Sequence, residues 1–311
     1  MASGSEFTKR YLHMMFASLK DATPEQVQEE LEHCRNINRK PVRVPRYFRG
    51  CMEESLFTTS QGFNMQVFTT QSRPGNDKNL VIYIHGGACI YQPVFFHWRF
   101  IHDLAVRSHA KIMMPVYPKA PEYACPFSME ALLEFYQHCA AQYTDKNLIL
   151  MGDSIGGCMA LSMTQEIHRR GWKPVADLVM LSPSVDITYP KEKEMLDIEP
   201  VDKMLKLERI QYIMNLWRGE LPKDHPWVSP IYGDLGCIPN YTMLYYGSDE
   251  ILKVDAEMLI ERCKQIGKPL HAREFPGMFH TFPMFPIKEG FEATKEIASL
   301  LAMTAFRATS C

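Results

Sequence analysis

A serine between two glycines lies where an apolar run ends, in the stretch LILMGDSIGGCMA at 148–160. The apolar run is typical of a strand buried on both faces, and residues 158–166 have the pattern of a helix. So short a link requires a sharp turn, which Gly152 and Gly156 allow because they carry no side chains to collide. This turn would lift the Ser154 hydroxyl above the edge of a sheet, where it could act as a nucleophile.

A second apolar run, in VIYIHGGACIY at 81–91, also ends in small residues. Attack on a carbonyl creates an oxyanion, which backbone N–H groups stabilise when they converge on one point. The N–H groups of Gly86, Gly87 and Ile155 are predicted to form such an oxyanion hole, although an ordinary glycine turn has the same pattern. His85 lies behind this turn and is interpreted as a structural residue, not as the general base.

A serine nucleophile needs a base and a carboxylate that orients the base, and after this type of turn the order is serine, acid, histidine. Among eleven histidines, His280 is best placed, because it follows the last predicted strand through a glycine loop. The acid is expected after the preceding strand, where Asp249, Glu250 and Asp255 are available. Each could instead cap the next helix, so these residues alone leave the acid open.

Apolar runs alternate with helical patterns along most of the chain, which is typical of an α/β fold with a mainly parallel sheet. Strands are predicted at 80–84, 112–116, 147–151, 177–181, 242–246 and 271–275, with an antiparallel edge strand at 65–69. Helices are predicted at about 95–108, 128–143, 158–170, 254–266 and 289–306. The carboxyl ends of parallel strands share one edge of the sheet, so this fold would bring the candidate residues together.

Two helical segments lie outside this alternation, at residues 1–50 and 191–220. We interpret them as two parts of a helical cap over the site, with 51–190 and 221–311 as the α/β-hydrolase core; a peripheral decoration is the alternative. Apolar residues of the cap expected to line an adaptable pocket are Met14, Met15, Phe16, Met204, Met214 and Trp217.

The composition excludes several classes of protein. With 34 basic against 36 acidic residues, nothing favours nucleic-acid binding. The nine cysteines are odd in number and scattered, without a C-x-x-C pair, which indicates a reducing, cytoplasmic location and neither a disulfide framework nor a zinc site. No signal pattern and no apolar run of about 18 residues occurs, so no membrane span is expected.

Seven motifs resemble the hormone-sensitive-lipase-like branch of the α/β-hydrolases, the family of many bacterial carboxylesterases and of arylacetamide deacetylase. They are HGGA at 85–88, YPKAPE at 117–122, GDSIGG at 152–157, LSPSVDIT at 181–188, HPWVSPIYGDL at 225–235, the acidic loop after Gly247, and GMFHTF at 277–282. The resemblance implies an eight-stranded sheet, a helical cap, no metal or organic cofactor, and often a homodimer. This chain departs from the family at Ile155, where a small residue is usual, and at Ala88, where glycine is common.

The resemblance also bears on the acid. The family motif Gly-x-x-Asp-x-Leu carries its carboxylate three residues after the glycine and two before the leucine, and both counts, from Gly247 and from Leu252, give Glu250. Asp249 remains the alternative, because aspartate is the commoner residue type. Neighbours in an extended segment point in opposite directions, so only one of the two is expected to reach His280.

The sequence therefore predicts a serine carboxylesterase acting on small-molecule esters with short to medium acyl chains, since the cap and the bulk of Ile155 would narrow the site. Residues expected to contact the substrate are Ala88, Asp153 and Trp217. An arylamide or formamide hydrolase with the same triad is one alternative. A non-catalytic ligand receptor is another, which the complete set of catalytic candidates disfavours.

Overall fold

The computed structural model describes residues 23–72, 78–268 and 270–307. Its centre is one eight-stranded sheet. The strands are β1 (Glu53–Thr58), β2 (Asn64–Thr70), β3 (Asn79–Ile84), β4 (Lys111–Pro115), β5 (Asn147–Asp153), β6 (Asp177–Leu181), β7 (Thr242–Gly247) and β8 (His271–Phe275). Their order is β1-β2-β4-β3-β5-β6-β7-β8. β1, β2 and β4 pair antiparallel, and every pairing from β4 onward is parallel.

Helices cover both faces of this sheet. The helices are α1 (Pro24–Asn38), α2 (Phe95–Ser108), α3 (Cys125–Gln142), α4 (Ile155–Arg169), α5 (Glu192–Ile198), α6 (Leu207–Arg218), α7 (Lys253–Gln265) and α8 (Lys288–Arg307). α2 and α8 pack on one face, whereas α3, α4 and α7 pack on the other. Alternate residues of β3 enter the two cores: Ile82 and Ile84 face one, Val81 and Tyr83 the other. A strand buried in this way shows a continuous apolar run.

The predicted α/β fold with a mainly parallel eight-stranded sheet is confirmed. One detail is wrong: the strand predicted at 65–69 is antiparallel but does not lie at the edge, because β1 pairs along its outer side. The side chains of β1 are almost all exposed. Without a buried face the segment has no alternating apolar pattern, which is the signal that strand prediction depends on.

The two helical segments outside the alternation contact each other. Arg209 of α6 forms an ion pair with Glu30 of α1, and the hydroxyl of Tyr91 donates to the same carboxylate. Tyr212 of α6 donates to the side-chain oxygen of Gln28 of α1 over 3.3 Å. The two segments therefore form one layer that also touches the loop after β3. The predicted pocket residues Met14, Met15 and Phe16 lie outside the described residues.

A membrane-spanning helix is not found within the described ranges, where each helix is too short or too polar to cross a bilayer.

Candidate active site

Ser154 lies in a strained turn between β5 and α4. Its backbone has φ +54° and ψ −124°, a conformation that costs a non-glycine residue about 1–3 kcal/mol. The turn is very tight: a Cβ on Gly152 would lie 2.3 Å from the Gly156 carbonyl carbon, and a Cβ on Gly156 would lie 2.0 Å from the Ile84 oxygen. The Ser154 N–H donates to Leu181 O over 2.8 Å, which fixes the turn against β6. The serine is thereby held half-buried at the carboxyl edge of the sheet.

His280 and Glu250 come together at the same edge. The His280 Nδ1 to Glu250 Oε2 distance is 2.6 Å, and both side chains are buried, at 3 % and 0 % exposure. The second oxygen, Oε1, accepts hydrogen bonds from Ser182 Oγ (2.8 Å) and from the Gly247 N–H (2.7 Å). Both carboxylate oxygens are therefore bound, so the orientation of Glu250 toward the imidazole is fixed.

Ser182 connects the loop that carries Glu250, here called the acid loop, to the loop that carries His280. Sequence reasoning did not single this serine out. Its hydroxyl donates to Glu250 and accepts the N–H of Thr281, the residue after His280, over 3.0 Å. Its backbone φ is +47°, and Leu181 just before it binds the Ser154 N–H. Ser182 thus contacts, directly or through the adjacent residue, the loops of Ser154, Glu250 and His280. Its place in the LSPSVDIT motif was the only signal for it in the sequence.

The environment of His280 favours its charged form. Burial alone would lower the pKa of the imidazole. The hydrogen bond and charge of Glu250 outweigh it, with smaller contributions from the Asp202 and Asp153 carboxylates, and the pKa is raised from 6.5. An imidazolium that forms during a reaction would therefore be stabilised at this position.

The other two candidate acids are placed differently. The Asp249 carboxylate accepts a hydrogen bond from Ser248 Oγ over 2.7 Å, and its N–H donates to Met278 O. Asp255 is fully buried in the first turn of α7, where Oδ2 accepts the N–H groups of Val185 and Asp186. Glu250 is thus the carboxylate that binds His280, whereas Asp255 supports the loop after β6.

Asp255 leads to a prediction about stability. Burial raises the pKa of its carboxyl from 3.8 to about 7. Its contribution to stability is complete below pH 4, and it is lost as the pH rises to about 7, because the unfolded chain releases the proton first. In Asp255→Asn the amide oxygen can keep both backbone bonds without a charge. We expect this variant to have a higher free energy of unfolding than the wild type at pH 5 and at pH 8. The difference should be larger at pH 8, where it is at most about 4 kcal/mol.

Urea denaturation at both pH values measures this gain. Asp197→Asn on α5 is the matched control, because Asp197 is exposed. A gain that is the same at pH 5 and pH 8, or that the control shares, would contradict a proton held by Asp255.

The prediction for Gly86 is wrong. Its N–H donates to Asp153 Oδ1 over 2.9 Å, so it is not available to an oxyanion. The next two residues have positive φ, +105° at Gly87 and +51° at Ala88, and neither N–H has a backbone or side-chain acceptor among the described residues. The Ile155 N–H is the first of α4 and is also without an acceptor there. Three free donors thus belong to Gly87, Ala88 and Ile155.

His85 supports this loop from behind. Its ring is fully buried, stacks on Tyr117 with centroids 4.6 Å apart, and places Nδ1 2.6 Å from Gly86 O. The Tyr117 hydroxyl donates to His85 O over 3.0 Å. Burial holds the pKa of His85 well below 6.5, so the ring is neutral.

Two of the predicted substrate contacts are buried in this structure. Asp153 is 2 % exposed, and its carboxylate accepts from Tyr83 Oη and from Gly86 while His97 Nε2 lies 3.4 Å away. It therefore supports the loop after β3 that carries the Gly87 and Ala88 donors, here called the oxyanion loop. Its carboxylate is not exposed to a substrate. Trp217, on α6, is fully buried against the core. Ile155 is 1 % exposed and packs in the same core, so its bulk does not narrow an open site.

Asp202, from the segment between α5 and α6, reaches the acid loop. It is buried, its Oδ2 accepts the N–H of Ile251, and its Oδ1 accepts the N–H groups of Met204 and Leu205. Ile251 follows Glu250 directly. The inserted helical segment is therefore anchored beside the carboxylate that binds His280, and Asp202 is a second acid that raises the pKa of that histidine.

Comparisons with known proteins identify relatives of this chain. A family model described as an alpha/beta hydrolase fold matches residues 81–284. An esterase of Acinetobacter venetianus is 30% identical over 208 residues, which cover 66% of this chain and 68% of that protein, so about a third of its length lies outside the match.

Two solved structures extend the similarity to the remainder of the chain. A Staphylococcus aureus protein described as an esterase superposes with a TM-score of 0.82 at 26% identity, over 89% of this chain and 92% of its own. An esterase from the bacterial hormone-sensitive lipase family superposes with a TM-score of 0.80 at 22% identity, over 98% and 99% of the two chains. At that identity the second similarity shows the fold alone.

Proposed function

Because the chain belongs to the α/β-hydrolase family, in its hormone-sensitive-lipase-like branch, we propose that it is a serine carboxylesterase whose nucleophile, base and orienting acid are Ser154, His280 and Glu250. The observation that carries this proposal is the 2.6 Å hydrogen bond between His280 and Glu250, at the same edge of the sheet as the strained turn of Ser154. Glu250 holds the imidazole through Nδ1, which is the role of the orienting acid in a serine–histidine–acid triad.

The proposed reaction begins with the tautomer of His280. Its Nδ1–H donates to Glu250, which leaves Nε2 free to accept the Ser154 proton as the serine oxygen attacks the ester carbonyl. The N–H groups of Gly87, Ala88 and Ile155 bind the resulting oxyanion.

Collapse of this intermediate breaks the bond to the alcohol, which takes the proton from His280 and leaves an acyl group on Ser154. Water then attacks the acyl group with His280 again as base, which releases the carboxylic acid and restores the serine.

The proposed cap consists of the N-terminal segment up to residue 50 and the insertion 191–220. Three contacts support it: the ion pair between α1 and α6, the bond from Tyr91 to the same glutamate, and the anchoring of Asp202 on the acid loop. Such a layer beside the nucleophile would limit the length of acyl chain that can bind.

The eight cysteines in the described residues are all free thiols, which supports the proposed cytoplasmic location.

A panel of nitrophenyl esters with acyl chains of about two to sixteen carbons, together with matching aryl amides, tests the proposed activity and its range. We expect esters to be hydrolysed and kcat/KM to fall beyond about eight carbons, because the cap limits the acyl site. Turnover of the amides alone would favour the amide-hydrolase alternative. Activity that rises steadily to the longest chains would contradict the role given to the cap.

The pH dependence of kcat/KM tests His280 as base. The imidazole must be neutral to accept the serine proton, and its pKa in this site is raised above 6.5. We therefore expect activity to be lost at acid pH and to rise with pH, with a midpoint above 6.5. A profile that is flat from pH 5 to pH 8 on a substrate whose acylation is rate-limiting would contradict this assignment.

A further inference from the structure

The segment that links α1 to the sheet carries a concentration of positive charge. Residues 39–49, here called the basic arm, contain five of the chain's 34 basic residues and no aspartate or glutamate. Arg39 pairs with Glu122. The other four side chains are exposed, and none forms an ion pair with another residue in the part of the chain that the structure describes. These four are Lys40, Arg43, Arg46 and Arg49.

Exposed apolar side chains lie beside this charge. Tyr47 is 81 % exposed, and Val94 and Phe95 at the start of α2 are about half exposed. The buried ring of Phe48 joins them, with ring centroids 5.0 Å from Tyr47 and 5.5 Å from Phe95. These residues, here called the aromatic patch, form one continuous surface with the basic arm. Exposing the apolar surfaces of Tyr47 and Phe95 together to water is unfavourable, and such a patch is typical of a surface that binds a partner.

The basic arm borders the proposed active site. Asn38, just before it, donates its side-chain N–H to Ile90 O over 2.9 Å. Ile90 and Val94 belong to the loop that follows β3 and carries the Gly87 and Ala88 donors. The start of the basic arm, together with Val94 and Phe95, therefore lies toward the edge of the sheet that carries Ser154, and the arm runs from there to the start of β1.

Two of the cations also face one groove. Arg43 and Arg49 line a space of about 490 Å³ between the basic arm and strands β1 and β2. Glu54 lines it as well, where it accepts a hydrogen bond from Gln66. Arg46 and Arg49 are three residues apart around a 3₁₀ turn, so their side chains project from the same side.

We propose that the basic arm and the aromatic patch form a docking surface for an anionic lipid bilayer, which would place the active-site edge next to the membrane. Lysine and arginine side chains are attracted to anionic headgroups, and an exposed tyrosine or phenylalanine inserts at the level of the headgroups. A nucleic acid would satisfy the cations but would leave the apolar side chains of Val94 and Phe95 in water. The proposal concerns location and does not depend on the hydrolytic activity.

Vesicle co-sedimentation of the full chain tests the docking surface. The Ser154→Ala variant serves as parent, so that hydrolysis plays no part in the measurement. We expect strong binding to phosphatidylcholine vesicles with about 30% phosphatidylserine, weak binding to pure phosphatidylcholine, and release at high salt. Each basic residue should contribute about fivefold to the partition coefficient, so Arg43→Gln with Arg46→Gln should lower it about 25-fold. Tyr47→Ala should lower it about tenfold without a change in net charge.

Arg262→Gln with Lys264→Gln is the matched control, because it removes two exposed positive charges on α7. This pair should leave vesicle binding unchanged. An equal loss in the control, or equal binding to neutral vesicles, would overturn the proposal. So would binding to heparin or to an oligonucleotide without binding to vesicles, which would mark a polyanion site. A dimer that Tyr47→Ala dissociates would assign the aromatic patch to a second copy of the chain and would also overturn it.

Discussion

Ser154→Ala is expected to lower kcat for ester hydrolysis by about 10⁴- to 10⁶-fold. The expectation follows from the strained turn, which holds this hydroxyl at the edge of the sheet that also carries three free N–H donors and the histidine bound by Glu250. Alanine removes only the oxygen and leaves the backbone demand at φ +54° unchanged. The free energy of unfolding should therefore stay close to that of the wild type, and circular dichroism with urea denaturation measures it.

Ser154→Gly separates catalysis from folding at the same position. Glycine also lacks the nucleophile, so activity should be lost to the same extent. It adopts positive φ without the steric cost that serine or alanine meets, so the protein should become more stable by about 1 kcal/mol. Activity within tenfold of the wild type in either variant would contradict Ser154 as the nucleophile. Loss of activity together with loss of folding in both would show a structural role instead.

The parts of this molecule that local physics determines could be predicted from sequence. The β6 strand at Asp177–Leu181 is buried on both faces and has the bounds predicted for it. The turn at Ser154 depends on glycines two positions away on either side, so its steric requirement can be read within five residues. β1 could not be found, because a mostly exposed strand leaves no pattern in the order of its residues.

The oxyanion loop shows what local reasoning misses. The sequence shows two glycines after β3. Which of their backbone N–H groups stays free depends on a carboxylate 67 residues further along the chain. Asp153 enters from the neighbouring strand β5 and occupies the Gly86 N–H, which moves the free donors to Gly87 and Ala88. Ser182 was missed for the same reason, because its partner Glu250 is 68 residues away. Such contacts follow from strand order and not from spacing.

The second large expected effect on kcat distinguishes the adjacent acids Glu250 and Asp249. Glu250→Gln is expected to lower kcat by about 10⁴-fold. The glutamine oxygen can still accept from Ser182 and Gly247, which leaves its NH₂ group facing His280 Nδ1. Two donors cannot share one hydrogen bond, so the imidazole must carry its proton on Nε2. In that tautomer it cannot accept the Ser154 proton, although the shape of the site is preserved.

Asp249→Asn is the matched control one residue earlier. Its amide oxygen can still accept from Ser248 Oγ, and its backbone N–H still donates to Met278 O, so kcat should stay within about threefold of the wild type. The acid limb of the pH profile provides a second readout. Without the Glu250 charge, burial is left as the main influence and the pKa of His280 should fall, so the residual activity of Glu250→Gln should persist to lower pH. A crippled Asp249→Asn beside a nearly normal Glu250→Gln would instead assign the orienting acid to Asp249.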